Sequence, residues 1–382
     1  MKNTNNVPRL RFPKFTDDWE QREFDKVFLS FPNKNYQLQS TEYYESGKFP
    51  IIDQGKKVII GYSDNKSKVC NKYPSIIFGD HTTELKYVDF PFIVGADGVK
   101  TLSVKDGDTL FQYYNLQVNN VQPTGYNRHF SMLKEISLCV PCLAEQRQIG
   151  TYFRNLDTLI TLHQRKCEKL EEYKKAMLQK IFSQELRFKR EDGTEYPEWE
   201  QTSLEDVCNI VGGGTPSTKN IDYWNGNIQW FTPSEIGKTK YVSKSVRTIS
   251  QVGFEKSSAR KLPVGTILLT SRATLGEMAI ATIECTTNQG FQSLIPRRIN
   301  GEYLYYLQPT IKNYCNKKAC GSTFNEISKG ELGKCKIPMP HFEEQQKIAD
   351  FLSAFDEAIN YAKQELDKWK ELKKGLLQQM FV

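Results

Sequence analysis

The chain states one pattern twice. Pro141 to Phe182 reads PCLAEQRQIGTYFRNLD…KAMLQKIF, and Pro340 to Phe381 reads PHFEEQQKIADFLSAFD…KGLLQQMF, aligned without a gap at an offset of 199 residues. A shorter echo precedes each copy: Leu10-Arg11-Phe12 with Trp19-Glu20-Gln21, then Leu186-Arg187-Phe188 with Trp199-Glu200-Gln201. A repeat decides architecture before any local reading does, because each copy is one structural unit. The order is short motif, long variable region, helix, and the same again. The helices are alike and the variable regions barely are, which suits a function needing one frame and two different surfaces.

In the first helix the apolar positions fall at Ile149, Phe153, Leu156, Ile160, His163, Cys167, Leu170, Met177 and Ile181, with Lys174 in the skipped slot. In the second they fall at Ile348, Leu352, Phe355, Ile359, Ala362, Leu366, Trp369, Leu376 and Met380, with Lys373 in the equivalent slot. Alternating three-four spacing over about five heptads predicts a coiled-coil seam. Prolines 141, 338 and 340 are read as marking the helix starts, since proline is tolerated only in a first turn. A helix of about 40 residues at ~1.5 Å per residue is roughly 60 Å long, too long for one compact domain. Two unrelated surface helices would not share a seam in the same register, so the expected partner of each helix is the other, running antiparallel. Because the motif at Leu10 matches the one just after the first helix, the end of the chain leads conceptually back to its start. The pattern is that of a ring of two half-turns, cut open, with a pseudo-twofold axis.

At 382 residues the chain can hold two or three domains, and 25% charged with 12% aromatic residues marks a globular protein. No apolar run approaches the ~20 residues of a membrane span, and the start, MKNTNN, lacks a signal peptide's apolar stretch. A cytoplasmic location without a membrane partner is expected. Nine cysteines without a framework read as reduced packing thiols; Cys139 and Cys142 form the only C-x-x-C, and the four histidines do not complete a metal set. Residues 22–137 carry 14 Lys+Arg against 13 Asp+Glu, and residues 202–334 carry 16 against 10. Excess positive charge suits a polyanionic partner.

The variable regions read as mixed α/β or β-rich, with β-branched runs such as Ser75-Ile76-Ile77-Phe78 and Thr266-Ile267-Leu268-Leu269 bounded by Gly, Asn and Asp. Three correspondences survive between them. Ile76 to Thr82 lines up with Leu268 to Thr274, allowing one residue of slip. Ala96 to Lys100 lines up with Asn288 to Gln292, and Phe49 to Gly55 with Ile228 to Ser234. In each a buried strand runs into a polar turn, where binding residues usually sit. The turns hold the residue types that read base edges. Catalytic signatures are lacking. Val211 to Lys219 is glycine-rich without the ending of a phosphate loop, and is read as a flexible turn touching DNA backbone. Asp80, Glu84 and Lys86 faintly suggest a metal-dependent nuclease triad, but the second copy has no counterpart.

Two variable regions, each followed by a proline-started E-Q-x-x-I-(G/A) helix, resemble the specificity subunit of type I restriction–modification systems. The motif ending Trp-Glu-Gln and the stretch Thr270 to Leu294 with Asn288-Gln289-Gly290-Phe291 share that resemblance, which covers essentially the whole chain. It implies an α+β fold: two mixed α/β target recognition domains separated by two long antiparallel coiled-coil helices in an internal repeat. The expected divisions are domain 1 over 1–140, a first spacer helix over 141–184, domain 2 over 185–339 and a second spacer helix over 340–382. It implies a chain without catalytic or metal residues, in which each domain reads half of a bipartite double-stranded DNA target. It also implies two methyltransferase subunits, which use S-adenosylmethionine to modify adenine, and restriction subunits, which use ATP and Mg.

The residues expected to meet DNA are Gln54, Lys56, Asp80, His81, Thr82, Lys100 and Arg128 in the first domain. In the second they are Thr232, Ser234, Ser271, Arg272, Thr274, Asn288, Gln289 and Lys329. Ile149, Phe153, Leu156 and Ile160, with Ile348, Leu352, Phe355 and Ile359, are expected to pack the helices and their partners. Two rival readings stay open: a scaffold displaying two protein-binding domains, and a self-sufficient nuclease or methyltransferase. The methyltransferase would need an N/D-P-P-Y/F motif and a glycine-rich cofactor loop, and the chain has neither.

Overall fold

The computed structural model describes residues 6–95, 97–125, 127–319 and 326–382. Ala96, part of one predicted turn, lies outside them. The chain divides into two units, one of Met1–Cys167 with Ala362–Val382 and the other of Glu168–Tyr361.

In the first unit a four-stranded antiparallel sheet runs in the order Phe28–Phe31, Val99–Val104, Ser75–Gly79, Leu85–Val88. The inner strand Ser75–Gly79 is buried along its whole length, as its unbroken apolar run requires. A three-stranded sheet is made of Gly61–Ser63, Phe49–Ile52 and Ile93–Val94 in that order. The second unit repeats the plan with a five-stranded sheet containing Ile267–Leu269, Met278–Ala281 and Gln292–Pro296, and a three-stranded sheet of Arg247–Ile249, Trp224–Phe231 and Cys285–Thr287. The Trp-Glu-Gln motif is the start of a short strand in both units. Glu20–Glu23 pairs antiparallel with Ser137–Val140, and Glu200–Ser203 with Lys336–Met339. Each pair ties the beginning of a variable region to its end, just before a long helix. Pro338 lies inside the strand Lys336–Met339, paired with Gln201, and so does not mark a helix start. It is tolerated there because the strand has a neighbour on only one side.

The long helices span Leu143–Phe182 and Phe342–Met380. In the first unit Asp157 meets Lys373 and His163 meets Trp369, so numbers rise along one helix as they fall along the other. In the second unit Lys174 meets Asp356, again antiparallel. The seam does more than join helix to helix. Ile149, Phe153 and Leu156 pack with Trp19, Phe111 and Tyr114 in the core of the first unit, and Ile348 and Leu352 pack with Leu304 and Ile311 in the second. The first turns of each helix therefore belong to the globular core; Ile160 and Phe355 are half-buried and Ile359 is buried.

The E-Q-x-x-I-(G/A) motif has a physical reason in each letter. Glu145 is buried and bonded by Arg11, and Glu344 is buried and bonded by Arg187. Gln146 donates to Pro141 O at 2.8 Å and accepts from Asp108 N at 2.9 Å. Gln345 donates to Pro340 O and accepts from Asn300 N, both at 2.9 Å. Asp108 and Asn300 are themselves N-caps of the domain helices Thr109–Val118 and Gly301–Tyr306, a position that favours Asp and Asn. At Gly150 a Cβ would come within 2.7 Å of Asp108 Oδ1 and 2.9 Å of Phe111 N, so the close approach needs a bare α-carbon; the counterpart in the second unit is the buried Ala349. The ring suggested by the repeat also has a direct counterpart. Leu186 N donates to Lys180 O across the covalent junction, and Leu10 N makes the same bond to Gln379 O, at 3.0 and 2.9 Å.

Candidate nucleic-acid interface

Polar turns at the ends of the inner strands gather into one loop cluster per unit, and backbone bonds show that the two are built alike. Asp80 N donates to Gly98 O at 2.7 Å, and Ser271 N to Gly290 O at 2.8 Å. Thr83 and Ala273 both take positive φ, 57° and 60°. Gly95 N donates to Ile52 O, and Asn288 N to Phe231 O. These bonds place Gly95 opposite Asn288. They also fix the one-residue slip, with Asp80 standing where Ser271 stands.

In the first unit Gln54 Oε1 accepts from His81 N and Gln54 Nε2 donates to Asp97 O, both at 3.1 Å. Thr82 Oγ1 donates to Gln54 O, and His81 Nδ1 lies 3.1 Å from Asn127 O. Gln54 thus ties three turns together, and its amide is engaged with backbone on both sides. Asp80 is 2% exposed. Its carboxylate accepts from Phe130 N at 2.9 Å and lies 3.5 Å from Lys100 Nζ. It braces the loop from beneath, contrary to its expected place on the DNA-facing surface. Lys56 and Arg128 are exposed. Asp80, Glu84 and Lys86 form no triad, since Lys86 turns to Asp53, donating to its carbonyl at 2.7 Å and its carboxylate at 3.2 Å. Burial lowers the Lys86 pKa, and Asp53 opposes that shift. Among the described residues no group of His, Cys, Asp or Glu is placed to hold a metal ion.

In the second unit Thr232 closes a capping box with Glu235, and its Oγ lies 3.2 Å from that of Ser234. Thr274 Oγ1 donates to Pro233 O at 3.3 Å, joining the second turn to the first. A Cβ at Gly290 would sit 2.8 Å from Pro233 Cγ, so the bare α-carbon lets the third turn close on them. Asn288 Oδ1 accepts from Gly290 N at 2.8 Å, and Gln289 accepts from Thr215 Oγ1. Arg272 is half-buried with Nη1 3.9 Å from Glu326, while Ser234, Gln289 and Lys329 are exposed. Ser271 departs from expectation as Asp80 does: it is fully buried, and its hydroxyl has no hydrogen-bond partner among the described residues.

The glycine-rich stretch is no loose turn. A Cβ at Gly213 would lie 2.0 Å from Asn288 O, and one at Gly214 would lie 2.4 Å from Ala259 N. Trp230 Nε1 donates to Gly214 O at 2.8 Å. These glycines let backbone pack on backbone under the loop cluster. The sequence reading also missed Arg247, exposed on an edge strand with its guanidinium 3.6 Å above the Trp224 ring. Its distance in sequence from Trp224 leaves no local signal for that stack.

Two repeated α/β units, each ending in a loop cluster and joined to paired long helices, define a duplicated recognition module. A family model described as the type I restriction modification DNA specificity domain matches residues 16–172 and 196–370, and the chain belongs to that family. It is 40% identical over 207 residues to the MjaIX specificity subunit of Methanocaldococcus jannaschii, a match covering 53% of this chain and 48% of that relative. The chain thus spans about half of that relative's length. With the EcoR124I/EcoR124II specificity subunit of Escherichia coli it is 28% identical over 362 residues, covering 88% of this chain and 87% of the relative. The crystal structure of a type I S subunit from M. genitalium has the same fold at a TM-score of 0.65 and 19% identity, covering 98% of this chain and 99% of the other. Among the described residues no helix is long and apolar enough to cross a membrane.

Proposed function

We propose that this chain is the non-catalytic, DNA-reading subunit of a type I restriction–modification complex, each unit reading one half of a bipartite duplex target. The observation that carries the reading is the pair of loop clusters. Their backbone bonds match, Asp80 N to Gly98 O and Ser271 N to Gly290 O, while the side chains they present differ. Equivalent frames with unlike surfaces suit two unlike half-sites. Exposed and half-buried groups on the turns, among them Lys56, Thr82, Arg128, Ser234, Arg272, Thr274, Gln289 and Lys329, are the ones we assign to DNA. Phosphate contacts would set position and base-edge contacts would specify.

In this reading the paired helices set the spacer and dock two methyltransferase subunits, with restriction subunits joining that core in the cytoplasm. S-adenosylmethionine then belongs to the methyltransferase, and ATP and Mg to the restriction subunit. The test is to map adenine methylation in a host with and without the gene, partner methyltransferase present. A bipartite motif methylated only with the gene, of which one half changes when residues 22–137 are exchanged, supports the reading. A methylome indifferent to the gene sinks it in favour of a protein-binding scaffold.

A further inference from the structure

The two lysines that interrupt the helix seams each end at an aspartate on the opposite helix, and each aspartate also holds a tyrosine of a recognition domain. In the first unit Tyr114, on the domain helix Thr109–Val118, donates to Asp157 Oδ2 at 2.7 Å. Lys373 Nζ donates to Asp157 Oδ1 at 2.6 Å and lies 5.2 Å from the Tyr114 ring centroid. In the second unit Tyr306 donates to Asp356 Oδ2 at 2.5 Å, Lys174 pairs with Asp356 Oδ1, and Lys174 Nζ lies 5.3 Å from the Tyr306 ring centroid. Three elements therefore meet at one carboxylate, twice.

We propose that Tyr114–Asp157–Lys373 and Tyr306–Asp356–Lys174 are positioning nodes that fix how each recognition domain is held by the long helices, and so which spacer length the subunit accepts. The proposal rests on the spacer reading given above. Two features argue against incidental polar contacts. The aspartates and the lysines obey the 199-residue offset, and the tyrosines obey the 192-residue offset that also relates the N-caps Asp108 and Asn300. The whole group is therefore kept in both copies, although the domains around it otherwise differ. Further, a lysine in an apolar seam specifies alignment at some cost in stability, and both pairs stay partly exposed, at 20% and 23% for Lys174 and Asp356 and at 16% and 38% for Lys373 and Asp157, where an ion pair contributes little. Geometry therefore explains the group better than stability does. One base pair is about 3.4 Å of rise and about 34° of turn, so a small freedom at the node is enough to admit a neighbouring spacer.

The nodes are unequally buttressed. Lys240 Nζ lies 2.9 Å from both Tyr306 Oη and Ser353 Oγ. In the first unit the counterpart of Ser353 is Arg154, which turns to Asp89 at 2.6 Å. An open groove lined by Tyr113, Tyr114, Arg154 and Asp157 runs past the first node. Loss of the tyrosine hydroxyl should therefore matter more at Tyr114 than at Tyr306.

The experiment uses the full chain assembled with its methyltransferase, and duplexes carrying both half-sites at the native spacer and at one base pair more or less. The readout is the methylation kcat/KM on each. Wild type should prefer the native spacer. Tyr114→Phe should cut that preference about tenfold, the worth of one charge-assisted hydrogen bond, with a smaller loss on the native spacer itself; Tyr306→Phe should cut it less. Lys373→Met, which fills the seam, should keep the melting temperature and still relax the spacer. Folded variants that retain the wild-type preference, or that lose rate equally on every spacer, overturn the nodes. A wild type indifferent to spacer length overturns the spacer reading itself, whatever the variants do.

Discussion

Arg11 grips Glu145 through two parallel hydrogen bonds of 2.7 Å, from Nε and Nη2 to the two carboxylate oxygens, with Glu145 fully buried. Arg187 repeats the bridge on Glu344 at 2.9 and 3.0 Å. Each bridge ties a short upstream motif to the first turn of a long helix. Removing one partner of a buried pair strands the other charge and typically costs about 3–5 kcal/mol. Glu145→Gln should lower stability on that scale in urea titration. Arg11→Lys should cost less, because it keeps the charge and forfeits the fork geometry. An unchanged midpoint in Glu145→Gln would show that the bridge is incidental.

The same carboxylates separate two tryptophans that look equivalent in the sequence. Trp199 Nε1 donates to Glu344 Oε2 at 2.9 Å, whereas Trp19, 1% exposed, has no partner for its indole N–H among the described residues. Phenylalanine removes a hydrogen bond to a charged group at one position and an orphaned donor at the other. Trp199→Phe should therefore be the more sensitive of the two in its polar component, by about 1–2 kcal/mol. Parallel urea titrations of Trp19→Phe and Trp199→Phe, each compared with its Leu variant to remove packing, read the difference. Equal polar losses would contradict it.

The frame was legible because its signals are local or repeated. Seam spacing announces a helix from Ile149 to Ile181 whatever surrounds it, and the offset doubles the sample. What escaped was long-range. Nothing near Gln146 says that its amide will bridge Pro141 and Asp108, and Pro338 was misplaced because strand pairing with Gln201 is settled by a partner far away in sequence. The candidate site was legible at the level of turns and not of side chains. Asp80 and Ser271 carry the right chemistry in the right turn, but each follows a strand buried on both faces and stays buried beneath the loops. Lys174 and Lys373 looked like gaps in a seam until Asp356 and Asp157 supplied their reason.

Alkaline pH should weaken the second unit through its thiols. Burial pushes Cys208, Cys285 and Cys335 up to about 12 and Cys315 up to about 11. An unfolded thiol ionises near ~8.5. Since the folded value is raised, the folded state keeps a proton that the unfolded state releases. The stabilisation is complete below the unfolded value and is lost as pH climbs toward the folded one. Each thiol should contribute a loss of about 1.4 kcal/mol per pH unit above that point. Urea midpoints between pH 8 and 10 should fall steeply in wild type and more gently in Cys208→Ala and Cys285→Ala. Identical slopes would place the alkaline sensitivity elsewhere.

Burial also decides which turn residues can change the DNA target. Ser271 is buried with its hydroxyl unpartnered among the described residues, so Ser271→Ala should leave both stability and target close to wild type. Gln289 is exposed at the tip of its turn, and Gln289→Ala should relax the second half of the methylated motif while sparing the first. Arg272→Ala and Lys329→Ala act through charge. Each one that touches a phosphate should weaken binding on all sequences alike and lower the slope of log K against log salt by about 0.9. Filter binding across a salt series, beside methylome sequencing of each variant, separates the two effects. A double variant with the wild-type salt slope would move the phosphate contacts off this face of the second unit. A methylome altered by Ser271→Ala would mean that the buried layer beneath the loops takes part in reading.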